Sequence, residues 1–161
     1  MEHPFKRVSV VGLGYIGLPT AAVLASRGVE VIGLDVNSTV VNSVNEGKVH
    51  IVEPELDVVV RGAVSAGMLR AVTAAQPAEA FIIAVPTPFK DGFKPDLVFV
   101  QAAAKSIAPV LRKNNIVILE STSPVGTTEL FSRWLAAERP DLTFPHQSAE
   151  AADVMLAYCP E

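Results

Sequence analysis

The chain of 161 residues has a single cysteine, few basic residues and no long hydrophobic run. The lone Cys159 excludes an internal disulfide and suits a reducing cytoplasm. Thirteen basic residues against 17 acidic ones give a formal net charge of −4, which argues against a nucleic-acid partner. No apolar run reaches the length of about 18 residues that a membrane-spanning helix needs. The three histidines lack the spacing of metal ligands. We therefore expect a cytoplasmic protein with no metal, membrane or nucleic-acid partner.

What the chain does contain is a glycine pattern near its start. Residues 8–35 read VSVVGLGYIGLPTAAVLASRGVEVIGLD, in which Gly12, Gly14 and Gly17 lie between an apolar β-type run and a helix-forming stretch. A second β-branched run closes on Asp35, 18 residues past the last glycine. A G-x-G-x-x-G alone is a weak indication. Between a strand and a helix, with an acid at this distance, it is the fingerprint of a dinucleotide-binding site.

Each part of this motif has a physical role. Gly12 allows the tight turn after the first strand, Gly14 lets a pyrophosphate approach the backbone, and Gly17 lets the helix pack closely on the sheet. The helix N-terminus favours the phosphate charge. Asp35 can accept hydrogen bonds from an adenosine ribose and would repel a 2′-phosphate, so we predict NAD rather than NADP as the cofactor. The alternative is a glycine-rich turn that only packs a helix on a strand.

Strand and helix patterns alternate along the whole chain, which indicates parallel strands joined by crossover helices. We predict six strands, at residues 8–11, 29–35, 68–72, 80–85, 116–120 and 153–158. Helices are expected at 37–46, 54–67, 96–111 and 126–137, besides the one that follows the glycines. These elements predict one α/β domain over residues 1–161 of the doubly wound Rossmann type. Its mostly parallel six-stranded sheet would have the order 3-2-1-4-5-6, with helices on both faces.

The segment Val85-Pro86-Thr87 follows the fourth predicted strand. In an open parallel sheet, ligands gather beyond the C-terminal ends of the strands, near the point where the strand order reverses. Thr87 offers a hydroxyl and an N–H there, and the prolines stiffen the segment. We take Val85, Pro86 and Thr87 as cofactor-binding candidates, against the alternative of a rigid turn with no further role.

A hydroxyl-rich segment follows the fifth predicted strand. Ser121, Thr122 and Thr127 could form a hydrogen-bonding rim that holds a phosphate, a nicotinamide amide or an ordered water. Helix capping is the alternative, because Ser123 before Pro124 fits an N-cap followed by the first helical residue. Capping explains some of these residues but does not require all of them.

The last predicted strand leads into Glu161. A carboxylate at the mouth of the cleft could orient a water or act as a base, and the alternative is a solvated acid with no such role. Cys159 has no local base that would activate it, and we expect it to be a small packing residue rather than a nucleophile.

With these residues in view, the chain resembles the nucleotide-sugar 6-dehydrogenase family, which includes the UDP-glucose and GDP-mannose dehydrogenases. The similarity is greatest to members that act on UDP-N-acetyl-D-mannosamine. The segments that carry the resemblance extend over almost all of the chain: GLGYIGLPTAAVLASRG, HIVEPEL, IAVPTPF, SIAPVL, VILESTSPVGTTE, RPDLTF and AYCPE.

The resemblance implies an oxidoreductase of polysaccharide biosynthesis that oxidises the sugar C6 alcohol to a carboxylate with two NAD. In the family, a cysteine further along the chain captures the aldehyde as a thiohemiacetal, which is oxidised to a thioester and then hydrolysed. A lysine and an asparagine assist. Residues that would contact NAD by this resemblance are Tyr15, Ile16, Asp35, Thr87 and Thr127. Thr122 and Glu161 would position the water or act in acid–base steps.

The family also has a central helix and a sugar-binding domain after the Pro-Glu, so we expect this chain to be the N-terminal cofactor domain. Without the catalytic cysteine and lysine it should be inactive alone. UDP-N-acetylglucosamine and UDP-glucose stay open as substrates, as does a homodimer. Two other readings are a 3-hydroxyacid or 6-phosphogluconate-type dehydrogenase domain, and a non-catalytic nucleotide-sensing or partner-binding module.

Overall fold

A parallel sheet of six strands forms the centre of the protein, which is represented by a computed structural model that describes residues 5–90 and 94–160. The described residues contain eight strands in all, of which six form this sheet. They are β1 (Arg7–Val11), β2 (Glu30–Leu34), β3 (Leu69–Val72), β4 (Ala80–Ile83), β5 (Phe89–Lys90), β6 (Lys94–Pro95), β7 (Ile116–Leu119) and β8 (Met155–Tyr158). The order in the main sheet is β3-β2-β1-β4-β7-β8. This confirms the predicted order 3-2-1-4-5-6, and β5 and β6 form a separate hairpin.

Helices cover both faces of the sheet, as predicted. They are α1 (Gly17–Ser26), α2 (Ser38–Asn45), α3 (Leu56–Ser65), α4 (Val98–Ile107) and α5 (Thr127–Glu138). Successive strand residues point to opposite faces, so Val10 packs in the cluster with α1, α2 and α3, whereas Val11 packs in the cluster with α4 and α5. The two clusters of buried side chains therefore cover opposite faces of the sheet. No helix in residues 5–90 or 94–160 is long and apolar enough to cross a membrane.

Local sequence rules locate several helix ends correctly. The Asn37 side chain accepts a hydrogen bond from the Thr39 N–H at 2.9 Å and caps α2. Gly47 follows α2 with a φ of +70°, the left-handed conformation that glycine adopts readily after a helix. Within the helix predicted over 96–111, Pro109 is a residue that should end or kink the helix, and α4 indeed ends at Ile107, with a 3₁₀ turn over Ala108–Val110.

Two helix starts differ from the prediction. Pro54 was expected in the first turn of a helix, but α3 begins at Leu56 and the left-handed Glu55 precedes it with a φ of +63°. The helix predicted over 126–137 begins one residue later, because α5 starts at Thr127 after Gly126, whose φ is +89°; the alternative of an N-cap at Ser123 is therefore wrong. Both α3 and α5 are thus preceded by a residue with positive φ, and such a residue cannot belong to the helix.

Candidate cofactor-binding site

A cavity of about 760 Å³ opens at the C-terminal edge of the sheet, over β1 and its neighbours β2 and β4. This is the point at which the strand order reverses, where open α/β sheets bind their ligands. Ten predicted cofactor-binding residues line it: Gly12, Gly14, Tyr15, Ile16, Asp35, Val85, Pro86, Thr87, Ser121 and Thr122. The structure thus brings together residues that lie more than 100 positions apart in the sequence.

The three glycines of the motif have different surroundings. At Gly12 the φ is +92°, and a Cβ would lie 2.5 Å from the Ala84 carbonyl oxygen. At Gly17 a Cβ would lie 1.8 Å from the Gly12 carbonyl oxygen. At Gly14 a Cβ would meet no atom within 4 Å, and this residue lines the cavity. Packing therefore requires Gly12 and Gly17, whereas Gly14 keeps a surface open for an approaching ligand.

Helix α1 begins directly after this turn. Its N-cap residue, Ile16, makes no side-chain capping hydrogen bond, and the first turn contains no acidic residue. The N-terminus of α1 therefore keeps its partial positive charge facing the glycine turn, an arrangement that favours a bound phosphate.

The Asp35 carboxylate is held in place at the end of β2. One oxygen, Oδ2, accepts a hydrogen bond from the Leu13 N–H at 2.9 Å, and Oδ1 accepts one from the Asn37 N–H at 2.9 Å. A carboxylate has about four acceptor positions, so each oxygen can still accept a hydrogen bond from a ribose hydroxyl. The glycine turn and the acid are thus fixed to each other before any ligand arrives.

Hydrogen bonds tie the segments after β4 and β7 together. The Ser121 hydroxyl accepts from the Val85 N–H at 2.9 Å and donates to the Val85 carbonyl at 2.8 Å. The Thr87 hydroxyl donates to the Thr122 carbonyl at 2.7 Å. Ser121 and Thr87, predicted as cofactor ligands, also hold the far wall of the cavity in shape.

Three predicted site residues lie elsewhere. Gly17 is buried below the glycine turn, where it performs the predicted packing role. Thr127 is buried outside the cavity lining, and its hydroxyl donates to the Pro124 carbonyl at 2.8 Å. That contact closes the turn before α5. Glu161 lies outside the described residues.

Part of the cavity wall was missed by sequence reasoning. Phe99 and Ser106 of α4 line it, as do Thr73 after β3 and the exposed Val36. Glu120 lines it too, and its Oε1 accepts a hydrogen bond from the Thr20 hydroxyl at 3.4 Å. Thr73, Val36 and Glu120 could have been found, because they lie at the ends of predicted strands or directly follow them. Within the described parts of the chain, no three His, Cys, Asp or Glu side chains are grouped to hold a metal ion.

The sheet order, the glycine turn and the acid after β2 define a dinucleotide-binding domain of the Rossmann type. Residues 6–161 match the UDP-glucose/GDP-mannose dehydrogenase family, NAD binding domain. The chain therefore belongs to this family, and the match covers its NAD-binding domain. The resemblance found in the sequence is confirmed, and so is NAD as the cofactor. The 3-hydroxyacid and 6-phosphogluconate-type alternative is wrong.

Curated relatives are similar over the whole chain. An NDP-N-acetyl-D-galactosaminuronic acid dehydrogenase from Ralstonia nicotianae is 62% identical over 161 residues, which cover 100% of this chain and 38% of the relative. A UDP-N-acetyl-D-mannosamine dehydrogenase from Yersinia pestis is 63% identical over 157 residues, covering 98% and 37%. The chain thus spans less than two-fifths of the length of these relatives.

A solved structure shares the fold. The UDP-N-acetyl-mannosamine dehydrogenase from Staphylococcus aureus superposes with a TM-score of 0.86 at 38% identity. The superposition covers 96% of this chain and 36% of that one. The similarity in structure is therefore confined to a corresponding part of a longer protein.

Proposed function

We propose that this chain is the NAD-binding part of a longer oxidoreductase that oxidises the C6 alcohol of a UDP-sugar to the carboxylate with two NAD. The observation that carries the NAD-binding part of the proposal is the open surface at Gly14 in the same cavity as the fixed carboxylate of Asp35. UDP-N-acetyl-D-mannosamine is the proposed substrate, because it is named for a relative that is 63% identical. Another relative, at 62%, is named for a different sugar, so the substrate needs its own test.

The residues present fit a dinucleotide bound across the strand ends. Gly12, Gly14 and the start of α1 would hold the pyrophosphate, and Asp35 would hold the adenosine ribose. Tyr15 and Ile16, both exposed at the cavity, would cover the bound cofactor. NAD, when bound, supplies the acceptor for a hydride.

The segments after β4 and β7 would form the opposite half of the site. The strand order places β2 on one side of β1 and β4 and β7 on the other. With the adenosine at Asp35, the nicotinamide half would therefore lie against Val85, Pro86, Thr87, Ser121 and Thr122. A contact of NAD with Thr127 stays a prediction, as do the catalytic roles of Thr122 and Glu161.

We also propose that the longer protein works in the cytoplasm, in the synthesis of acidic polysaccharide. A uronic acid is the product that such a C6 oxidation leaves, and the single Cys159 suits a reducing compartment. A homodimer stays a prediction, to be tested by the mass of the protein in solution.

The oxidation is tested by following NADH with UDP-N-acetyl-D-mannosamine, UDP-N-acetylglucosamine and UDP-glucose in turn. We expect no turnover by the 161-residue chain, and two NADH per sugar consumed by the longer gene product. One NADH per sugar would contradict the oxidation to a carboxylate. A longer product that binds NAD but oxidises none of the three sugars would favour the nucleotide-sensing alternative.

A further inference from the structure

Tyr158, the last residue of β8, contacts the segment that follows β7. Its hydroxyl accepts a hydrogen bond from the Ser123 N–H at 3.2 Å and donates one to the Ser123 carbonyl at 3.1 Å. One phenol oxygen thus engages both main-chain groups of a single residue. The side chain remains 45% exposed, so the hydrogen bonds rather than core packing define what it does.

The segment held by Tyr158 has no regular secondary structure of its own. It runs from Glu120 to Ser123 between β7 and the turn before α5. On the β4 side it is held by the Ser121 hydroxyl and by the hydrogen bond from Thr87 to the Thr122 carbonyl. On the β8 side, Tyr158 holds it at Ser123. Thr122, which lines the cavity, is therefore held at its own carbonyl from the β4 side and at the next residue from the β8 side.

We propose that Tyr158 is a positioning residue for the nicotinamide half of the NAD site. It acts through Ser123 by fixing the main chain on the C-terminal side of Thr122, and it need not touch the cofactor itself. The inference rests on the proposed orientation of NAD, with adenosine at Asp35 and nicotinamide over the ends of β4 and β7. Loss of the hydroxyl would leave the segment held from the β4 side.

The test compares two ligands that differ in the nicotinamide. ADP-ribose carries the adenosine, the pyrophosphate and the second ribose but lacks the nicotinamide ring, so it should not sense contacts that only the ring makes with the segment after β7. In Tyr158→Phe we expect NAD to bind about fivefold more weakly, the effect of one net hydrogen bond, and ADP-ribose to bind as it does to the wild type. Both affinities can be measured by calorimetry on the 161-residue chain.

A second measurement reports on the segment directly. The Ser123 amide should exchange its hydrogen faster in Tyr158→Phe than in the wild type, because its acceptor is removed. Met155→Leu is the matched control, since Met155 lies on the same strand and is 51% exposed. This control should change neither the two affinities nor the exchange rate at Ser123.

The possible results distinguish a failure of the positioning role of Tyr158 from a failure of the proposed NAD site. Equal weakening of NAD and ADP-ribose would indicate a general effect on the fold and overturn the positioning role. Unchanged NAD affinity in Tyr158→Phe would overturn it too. A folded wild-type chain that binds neither ligand would contradict the proposed function, and the inference would fall with it.

Discussion

At the residue scale, the glycine motif shows how identical letters can have different tasks. Gly12 and Gly17 are required by the protein itself, because a Cβ at either position would collide with backbone atoms. Gly14 has open space beside it, and its requirement comes from the ligand. The spacing of the motif predicts all three roles, but only the structure shows which substitution the fold tolerates.

This difference gives a matched pair of substitutions. Gly14→Val should leave the fold intact and weaken NAD binding by roughly a hundredfold or more, which is about 2.7 kcal/mol. Gly17→Ala should lower the free energy of unfolding by about 1–3 kcal/mol or more, because the added atom has no room. Calorimetry with NAD and thermal unfolding distinguish the two. Retained NAD affinity in Gly14→Val would refute the role of the glycine turn.

Asp35 is the residue that should select NAD over NADP. Its carboxylate is fixed by the Leu13 and Asn37 amides, and Asp35→Asn would place an NH₂ group against one of those N–H donors. We expect NAD affinity to fall by about tenfold, on the scale of a hydrogen bond to a charged group. Discrimination against NADP should relax as the negative charge disappears. The ratio of the two dissociation constants is the measurement, and an unchanged ratio would count against this role.

At the scale of the elements, the sequence predicts those helix ends that depend only on residues close together in the chain. Asn37 caps α2, and glycine follows its end, because these interactions lie within a few residues of the helix. The β5–β6 hairpin was missed, since strands of two residues are too short to show alternation. The left-handed Glu55 was missed as well, because a non-glycine residue adopts this conformation only where its surroundings impose it.

Glu55 therefore offers a gain in stability. Glu55→Gly removes the steric penalty of the left-handed backbone, offset in part by the greater freedom of glycine in the unfolded chain. The free energy of unfolding should rise by about 0.5–1 kcal/mol. Asn114→Gly is the control, with a φ of +69° in the wild type. Asparagine tolerates this conformation better, so its gain should be smaller. Destabilisation by Glu55→Gly, measured by urea unfolding, would show that the glutamate side chain contributes more than its backbone strain costs.

At the scale of the whole molecule, the alternation of strands and helices suffices to predict the sheet order, and the sheet order places the cavity. The α4 wall with Phe99 and Ser106 was not predictable, because it depends on how that helix lies across the sheet. The same holds for Tyr158, whose partner Ser123 is 35 residues away in the sequence. Sequence reasoning therefore located the glycine turn, the acid and the strand ends, and missed the surfaces that tertiary packing brings to them.

Stability at acidic pH should depend on a surface ion pair that follows α5. The Arg139 guanidinium donates to both oxygens of Asp141 and lowers the pKa of that carboxyl to about 2. Because the pKa of Asp141 is lower in the folded state than in the unfolded chain, the ion pair stabilises the protein at pH values above about 3.9, the ordinary pKa of aspartate. This contribution is lost as the pH falls towards 2.

Asp141→Asn should therefore lower the unfolding temperature slightly at neutral pH, since exposed ion pairs contribute little. The difference from the wild type should be constant above about pH 5 and shrink as the pH falls towards 2. Unfolding temperatures of the two proteins across this range are the measurement. A difference that grows towards low pH would contradict the assignment.

Whether the glycine turn and Asp35 form an NAD site can be measured by separate calorimetric titrations of the purified chain with NAD and NADP. We expect NAD to bind and NADP to bind clearly more weakly, because its 2′-phosphate would meet the Asp35 carboxylate. No binding of either by a chain shown to be folded, or NADP binding as tightly as NAD, would contradict it.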